Sequence, residues 1–451
     1  MMELTVTADK RKTSGKIKLM NAVNNGPTAP GVRQSPSSFE AYRDAAIPYA
    51  RNHDASFFPG YGGEHTVDVH RIFRNFDADE NDPASYIFEP TDWYIRTTLA
   101  AGTKIFYRLG ASIEHGYKFG TRVPPDFGKW ARICEHIVRH YNEGWADGFR
   151  FGIEYWEIWN EPDCRNADGS NPCWQGTDEQ FIELYVTAAR HLKACFPDLK
   201  IGGPAFTGPW PTPFKDAFLD RIARDRVPLD FYSYHWYESH IESLREAILT
   251  ARRELDKRGL TGVETILNEW NYIRGWLGED WTYSLNTERS LKGSSFIAAA
   301  MCAGQSLPLD MLMYYDARPC GMNGLFEAET YRPLKGYYPF AAWRDLRALG
   351  DWIPTDCADP DVYSCAAADG ENAAVLLTNY CDRDDAPGKD LSVRFEGFGG
   401  PCRAEIYLLD AEHDLKLLNT QRFSADSFAV RIDLGLYSTV LIKVKKDTDG
   451  I

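Results

Sequence analysis

The sequence has no long hydrophobic run. No segment approaches the roughly 18 uninterrupted apolar residues that a membrane-spanning helix needs, and residues 1–10 lack the apolar stretch of a secretion signal. These absences argue against a membrane-embedded chain. We expect a cytoplasmic protein without a membrane partner.

Positive charge is in the minority, and the chain has no basic run. Lysine and arginine number 50 against 65 aspartate and glutamate residues, which gives a formal net charge of −15. A protein that binds nucleic acid needs cations to neutralise the phosphate backbone. We therefore expect no nucleic-acid partner and a substrate that is neutral or bound by local contacts.

The cysteines lack the spacing of a metal site. Ten of them are scattered along the chain, and this pattern predicts reduced, mostly buried thiols and no bound metal. Cys164 and Cys173 flank one loop and could form a disulfide in an oxidising compartment, whereas a cytoplasmic location favours free thiols.

The sequence is long and rich in aromatic residues. Its 451 residues, 44% of them hydrophobic, suffice for one large barrel and a smaller domain. Aromatic residues make up 14% of the chain, with 13 Trp and 24 Tyr. Such rings stack on the C–H face of a sugar, although many of them must simply pack in the core.

Residues 16–350 alternate strand-like and helix-like segments eight times. The predicted helices include residues 130–141, 178–195, 239–258 and 288–304, and Thr177 is a predicted N-cap. The predicted strands are residues 16–20, 47–54, 104–110, 155–159, 199–206, 229–237, 264–271 and 311–318. This order predicts an α/β fold, a (β/α)8 TIM barrel.

The pattern changes at residue 351. From there to residue 451, short alternating runs are separated by Gly, Asp and Pro, and these runs cover residues 373–379, 390–395, 402–409, 428–434 and 438–446. Short strands at this spacing predict a C-terminal all-β sandwich domain, which we expect to pack against the barrel.

Two predicted barrel strands end on a carboxylate. Residues 155–159 are mostly aromatic or β-branched, and Asn160-Glu161 follow, before a proline that cannot continue the strand. A second strand reaches Glu269. Barrel enzymes keep their chemistry at the carboxyl ends of the strands, and a pair of carboxylates is what glycoside hydrolysis uses.

These two strand ends carry a family resemblance. Trp-Asn-Glu-Pro-Asp at residues 159–163 and Leu-Asn-Glu-Trp-Asn at residues 267–271 resemble the clan of retaining (β/α)8 glycosidases. Within that clan the chain is most similar to glycoside hydrolase family 39, which contains β-xylosidases and α-L-iduronidases. The resemblance covers about residues 17–350 and includes residues 21–27, 202–205 and 233–237.

The resemblance implies roles for several residues. Glu161 would be the acid/base and Glu269 the nucleophile, with Arg51 and His53 near the nucleophile. Trp174, in a Trp-x-Gly-Thr run, would form a wall of the pocket. The family also implies that residues 1–15 carry a strand that joins the β domain.

Further candidates follow from the strand ends and their loops. His235 and Tyr237 share one face of a strand, where each could hydrogen-bond Glu269 or a sugar hydroxyl. Asn160 is expected to donate to the sugar 2-hydroxyl. Aromatic residues near other strand ends, Trp276 and Tyr315, are candidates for sugar binding.

The expected activity is a retaining, exo-acting glycoside hydrolase, most similar to a β-xylosidase or a related pentosidase or hexosidase. Its substrate would be a glycoside or oligosaccharide, and no metal or organic cofactor is implied. The nucleophile strand reads Asn-Glu-Trp-Asn, which departs from the Thr-Glu-Phe-Asn-like form of the family's xylosidases. Two alternatives stay open: an endo-acting polysaccharide hydrolase and a carbohydrate-binding barrel without activity. A homo-oligomer is possible.

Overall fold

The structure is a computed structural model that describes residues 4–30, 36–54, 65–113, 119–322 and 324–447. The sequence also predicts that a long loop, residues 57–92, shapes the substrate cleft. Residues 57–64 of that loop lie outside the described residues, as do Glu114, His115 and Tyr117. Among the described helices, none combines the length and the apolar character needed to span a bilayer. The cytoplasmic location stays a prediction.

Eight parallel strands close into a barrel in the order in which the chain makes them. After β1 (Leu4–Asp9), the barrel consists of β2 (Leu19–Asn24), β3 (Tyr49–Arg51), β4 (Lys104–Leu109), β5 (Tyr155–Ile158), β6 (Lys200–Phe206), β7 (Phe231–His235), β8 (Glu264–Trp270) and β9 (Met311–Tyr314). The (β/α)8 prediction is confirmed.

Helices surround the barrel. They are α1 (Phe39–Asp44), α2 (Val69–Ile72), α3 (Glu89–Ala100), α4 (Phe127–Asn142), α5 (Asp178–Cys195), α6 (Pro213–Asp225), α7 (Ile241–Asp256), α8 (Gly278–Glu288), α9 (Leu291–Ser306) and α10 (Tyr337–Leu349). Thr177 caps α5 in a capping box with Gln180, as the sequence predicts. Reciprocal hydrogen bonds of this kind satisfy two of the free N–H groups at a helix start.

The barrel interior is filled by side chains. One cluster inside the strands is buried and largely aromatic; it contains Ala22, Tyr49, Phe106, Tyr155, Phe231, Ile266, Met311 and Met313. Side chains on the outer faces of the strands pack against the helices. Because both faces of the strands are covered, their sequences are nearly continuous apolar runs. The packed strands hold their carboxyl-terminal residues rigidly.

The remaining strands form two sheets. They are β10 (Asp351–Ile353), β11 (Val362–Ala368), β12 (Ala373–Asn379), β13 (Lys389–Glu396), β14 (Cys402–Leu409), β15 (Lys416–Phe423), β16 (Ser427–Leu434) and β17 (Thr439–Lys446). A three-stranded sheet, β1-β13-β16, faces a six-stranded sheet, β10-β11-β12-β17-β14-β15, across a shared apolar core. The sandwich prediction is confirmed.

The first strand of the chain belongs to the sandwich. β1 pairs in parallel with β13, and Leu4 lies opposite Leu391. The domain boundaries after residues 15 and 350 stay a prediction.

Several elements differ from the sequence prediction, and strands β10 and β11 were not predicted. The first barrel strand begins at Leu19 and not at residue 16, because Lys16 forms a bridge with Asp351 and Ile17 N donates to Gly350 O at 2.9 Å. Helix α8 occupies part of what reads as a loop after Glu269. Strand β15 was missed because nearly all of its residues are exposed and show no apolar alternation.

The sandwich contacts the barrel through a group of hydrogen bonds and ion pairs around Asp382. Its carboxylate lies 2.7 Å from Lys292 Nζ, and it accepts a 2.7 Å hydrogen bond from the hydroxyl of Tyr272. Tyr380 donates to the backbone carbonyl of Ser239. The sandwich therefore touches the segments that follow β7 and β8.

Candidate active site

Glu161 stands just beyond the end of β5. The chain turns sharply there: φ is 79° at Trp159 and 47° at Glu161, and Glu161 N donates to Ala205 O at 2.9 Å. Gly203 of β6 permits this geometry, since a Cβ at that position would lie 2.8 Å from Ile158 O. The turn and the close neighbouring strand aim the Glu161 carboxylate at the barrel mouth.

Glu269 lies within β8, and its carboxylate faces that of Glu161. His235, the last residue of β7, lies between them: its Nδ1 is 2.7 Å from Glu161 Oε1 and 3.4 Å from Glu269 Oε2. One oxygen of each carboxylate and this nitrogen all lie within 4.8 Å of one another. Glycosidases of the retaining type place their two carboxyl groups about 5–5.5 Å apart, and those of the inverting type about 6.5–9.5 Å apart.

Arg51, at the end of β3, is fully buried and bonds four side chains. Its Nη1 donates to Glu269 Oε1 at 2.7 Å and to Asn24 Oδ1 at 3.1 Å. Its Nε donates to Glu157 Oε2 at 2.6 Å, and its Nη2 to Asn160 Oδ1 at 2.7 Å. A single guanidinium thus fixes the nucleophile candidate and the amide beside Glu161.

Glu269 has two further neighbours among the predicted residues. The Tyr237 hydroxyl donates to Oε2 at 2.8 Å, and His53 Nε2 lies 3.6 Å from Oε1. Arg51, Tyr237 and His53 therefore all lie beside this carboxylate, as predicted. His235 differs from the prediction, because its shorter contact is with Glu161.

The surroundings of Glu161 favour its protonated form. Burial raises the pKa of Glu161 to about 8, and the charge of Asp163 adds to this effect against the opposing charge of Arg51. Only one strong hydrogen-bonding neighbour, His235, lies beside it among the described residues, together with the Cys173 thiol at 3.8 Å from Oε2. A carboxylic acid in this state can donate a proton near neutral pH.

Glu269 is held differently, although it is also buried. Burial raises its pKa, while His235 and Arg51 oppose that rise. The short contacts from Arg51 and Tyr237 are hydrogen bonds to the charged form, which they stabilise. The two carboxylates are therefore set up for different protonation states.

His235 is neutral near pH 7. Burial lowers its pKa to about 4, although the charge of Glu269 opposes this. A neutral imidazole has one N–H, and Nδ1 is the ring nitrogen that faces both carboxylates. His235 can therefore bridge the pair without adding a charge.

Several site residues were missed from the sequence. Glu157 is buried and accepts hydrogen bonds from Arg51, Ser233 and Asn268. Its signal was available, since a charge inside an otherwise apolar strand needs a buried partner. Asn24 also binds the backbone of β8, donating to Asn268 O at 2.7 Å.

Asp54 was also missed, and it anchors the far side of the site. It accepts a short hydrogen bond from the Tyr315 hydroxyl and pairs with Arg318 Nη2 at 3.3 Å. Burial would raise the pKa of Asp54, but His53, Arg318 and His65 hold it well below its usual range. Tyr315 is thereby fixed beside His53, with ring centroids 6.3 Å apart.

Aromatic rings extend outward from the carboxylates. Tyr237 contacts Tyr315 at 6.3 Å and Trp276 at 5.1 Å between ring centroids. Trp276 stacks on Trp281 at 5.6 Å and is 53% exposed. These rings lead from the bottom of the site to solvent.

Trp174 does not form a wall of the pocket, and this prediction is wrong. Its side chain is fully buried, its ring packs edge-on against Trp159 and Phe181, and its Nε1 donates to Thr177 O. The ring supports the turn that carries Glu161 from below. The Trp-x-Gly-Thr run could not distinguish these two positions.

A metal ion fits this donor set poorly. Glu161, His235 and Glu269 are close enough to share a cation, but Arg51 already places a permanent positive charge 2.7 Å from Glu269. A second cation there would meet strong repulsion.

Part of the chain matches a known protein family. Residues 64–279 match the family model described as Glycosyl hydrolases family 39. The matched segment includes Glu161, His235 and Glu269 and leaves out Arg51 and His53.

Two curated relatives match parts of the chain. A β-xylosidase of Geobacillus stearothermophilus is 32% identical over 186 residues, which are 37% of this chain and 34% of the relative. A β-xylosidase of Caldicellulosiruptor saccharolyticus is 28% identical over 231 residues, 45% of this chain and 43% of the relative. The chain therefore matches about a third of the length of one relative and less than half of the other.

Solved structures match over nearly the whole chain. A glucosidase from Croceicoccus marinus superposes with a TM-score of 0.80 at 23% identity, covering 99% of this chain and 100% of the other. A monomeric β-xylosidase from Caulobacter crescentus superposes with a TM-score of 0.71 at 16% identity, covering 98% and 99%. At these identities the likeness shows the fold.

Proposed function

We propose that the chain, whose residues 64–279 match the model of glycosyl hydrolases family 39, is a retaining, exo-acting β-glycosidase of the β-xylosidase type. The observation that carries the proposal is the pair of facing carboxylates, Glu161 and Glu269, whose nearest oxygens lie within 4.8 Å. The matched relatives named β-xylosidases support the choice of sugar. Glycosides and oligosaccharides are the proposed substrates.

In the first step, Glu269 attacks the anomeric carbon and forms a covalent glycosyl-enzyme. The leaving oxygen takes a proton from Glu161, which then holds a negative charge. In the second step, Glu161 removes a proton from water, the water oxygen bonds to the anomeric carbon, and Glu269 leaves. The anomeric configuration is retained because the carbon is inverted twice.

The surroundings of each carboxylate suit its step. Arg51 and Tyr237 donate to Glu269 at 2.7 and 2.8 Å, which keeps an ionised nucleophile in place. A neutral His235 that donates from Nδ1 to Glu161 Oε1 leaves the acidic proton on Oε2. That oxygen is then the proton donor to the leaving group.

Asn160 is proposed to bind the sugar 2-hydroxyl. Its Oδ1 accepts from Arg51 Nη2, and its Nδ2 donates to no protein group within the described part of the chain. The amide is therefore oriented with its N–H groups available to the substrate. Hydrogen bonds at this hydroxyl strengthen in the oxocarbenium-like transition state.

A panel of aryl glycosides tests the proposal. We expect release of chromophore from the β-D-xyloside and loss of that activity in Glu269→Ala. The α-L-arabinopyranoside, β-D-galactoside and β-D-glucoside are assayed in parallel as alternative substrates. Glu264→Gln is the matched control, since Glu264 begins the same strand and contacts Tyr155 and Lys200 at its other end. The first product should be the β-anomer, as seen by proton NMR.

Other outcomes separate the alternatives. Activity on xylan chains with silence on the aryl glycosides would replace the exo-acting proposal with an endo-acting hydrolase. An α-anomer as first product would contradict the retaining mechanism. Sugar binding by folded protein without hydrolysis of any substrate would leave a carbohydrate-binding barrel.

A further inference from the structure

We propose that Cys164 and Cys173 form an oxidisable dithiol beside the acid/base carboxylate, a modification site at which a disulfide alters proton transfer by Glu161. The inference rests on the proposed role of Glu161. It concerns two side chains that the hydrolytic mechanism does not use.

The two sulfur atoms and the carboxylate lie together. Cys173 Sγ is 3.8 Å from Glu161 Oε2, and both sulfurs and one Glu161 oxygen lie within 4.8 Å of one another. Both cysteines are free thiols. A disulfide has an S–S bond of about 2.05 Å, so the sulfurs need to approach by less than about 3 Å.

The loop between the two cysteines is built to keep them adjacent. Asn171 ties its ends together: its Nδ2 donates to Pro162 O at 2.7 Å, and its Oδ1 accepts from Cys173 N at 2.7 Å. Cys164 N donates to Glu161 O at 3.0 Å. Both cysteine backbones are thus held against the turn that carries Glu161.

The exposure of the two thiols sets the order of oxidation. Cys164 is half-buried, whereas Cys173 is fully buried. Burial and the hydrogen bond with Cys164 both raise the pKa of the Cys173 thiol, and the hydrogen bond is the larger cause. An oxidant therefore meets Cys164 first, and Cys173 is the partner that resolves the product.

Hydrogen peroxide can oxidise the two thiols to a disulfide in two steps. The Cys164 thiol attacks one peroxide oxygen, which gives a sulfenic acid and one water; the Cys173 thiol then attacks the Cys164 sulfur and releases a second water. Two electrons pass from the sulfurs to the peroxide. A dithiol reductant reverses the bond by thiol–disulfide exchange.

The bridge would act on Glu161 through the lost S–H group. In the reduced protein the Cys173 thiol can donate a hydrogen bond to Oε2 of the ionised Glu161 carboxylate. Removing a donor to the charged form favours the protonated form. The oxidised protein should therefore keep Glu161 protonated to higher pH and should regenerate the ionised base less readily in the second step.

The test compares reduced and peroxide-treated full-length protein. Peptide mass mapping should show a Cys164–Cys173 disulfide, and kinetics should show the alkaline limb of kcat/KM at higher pH and a several-fold change in kcat. Dithiothreitol should reverse both. The change in kcat/KM should be larger for a phenyl glycoside than for a dinitrophenyl glycoside, because the better leaving group needs less protonation.

Variants keep the test specific. Cys164→Ser and Cys173→Ser should each abolish the disulfide and the peroxide response, whereas Cys195→Ser, at another half-buried thiol on α5, should retain both. Absence of the disulfide after peroxide, or a disulfide that leaves both rates and pH limb unchanged, overturns the inference. Mass mapping needs no activity, so an inactive protein that forms the bridge refutes the proposed function and not the dithiol.

Discussion

Glu161 and Glu269 are the same residue type, and their neighbours separate their roles. Arg51 and Tyr237 donate to Glu269, whereas among the residues that the structure describes the Glu161 carboxylate has His235 and the Cys173 thiol as its close hydrogen-bonding neighbours. Charged hydrogen-bond donors favour the ionised form, and burial without them favours the neutral form. One carboxyl group can therefore attack while the other donates a proton.

The first prediction concerns the pH dependence of activity. Glu161 has a pKa of about 8 and must be protonated in the free enzyme, so kcat/KM should fall as pH rises through about 8. In Glu161→Ala this limb should disappear, and the rate on a phenyl glycoside should fall by about 10²–10⁴-fold. Glu154→Ala, at a more exposed carboxylate before β5, should keep the wild-type profile.

The second prediction concerns stability. The pKa of Glu161 is 4.5 ordinarily and about 8 in the folded protein, so between these values the folded state binds more protons than the unfolded state. The free energy of unfolding therefore falls as pH rises through this window. Glutamine does not titrate, and the Tm of Glu161→Gln relative to wild type should be higher at pH 8 than at pH 4.5.

Thermal unfolding at the two pH values measures this difference. Glu157→Gln is the contrasting variant, because it breaks a buried ion pair with Arg51 and should cost about 3–5 kcal/mol. A relative Tm of Glu161→Gln that does not change with pH would contradict a raised pKa at Glu161.

The sequence located the candidate catalytic residues better than their contacts. Glu161 and Glu269 were recognisable because strand ends meet at one face of a barrel, and Arg51 was expected from the family resemblance. The closer contact of His235 with Glu161 was not, because it depends on a register shift between β7 and β8 at Tyr234/His235. Cys173 approaches Glu161 only because the loop folds back, and no local pattern predicts that return.

At the scale of elements, the segment between β8 and α8 carries the outer aromatic surface. Tyr272 and Arg274 tie its start to Asp382, and Trp276 then projects to solvent beside Tyr237. The sequence indicated an aromatic loop here but not the helix that follows it. Residues 278–288 lack a strong apolar stripe, so their sequence did not predict a helix.

The third prediction concerns this surface. Trp276→Ala should raise KM for an aryl glycoside or a disaccharide by about 2–10-fold, since an aromatic contact contributes about 0.5–1.5 kcal/mol. The value of kcat should change less, because Trp276 lies away from the carboxylates. Leu277→Ala, at an adjacent side chain that is 85% exposed, is the matched control. An unchanged KM in Trp276→Ala would remove this ring from the binding site.

At the scale of the whole molecule, the sandwich supports the barrel at the end that carries Glu161 and Glu269. Asp382 bonds Tyr272, Arg274 and Lys292, and Tyr380 bonds the backbone of Ser239. Ser239, Tyr272 and Arg274 lie a few residues after Tyr237 or Glu269, and Lys292 lies in α9. The sequence predicted both domains but not the ion pairs between them, because long-range partners leave no periodic signal. The homo-oligomer stays a prediction.

The fourth prediction concerns this junction. The side chains of Asp382 and Lys292 are only 5% and 6% exposed. Asp382→Ala should lower the free energy of unfolding by about 3 kcal/mol, which is the low end of the range for a broken buried ion pair. The low end is expected because Asp384 still pairs with Lys292. It should also lower kcat through Tyr272. Urea unfolding and aryl-glycoside kinetics measure both effects. Asp385→Ala, at an exposed residue of the same loop, should leave both unchanged.

The parallel pairing of β1 with β13 has a consequence for biosynthesis. Leu391, the partner of Leu4, is synthesised only after the whole barrel. At translation rates of about 5–20 residues per second, β1 waits on the order of 20–80 s for its neighbour. Throughout that interval its exposed edge can pair with other chains. The nascent barrel must fold while tethered to an unpaired strand, and at low chaperone concentration we expect aggregates that form through β1.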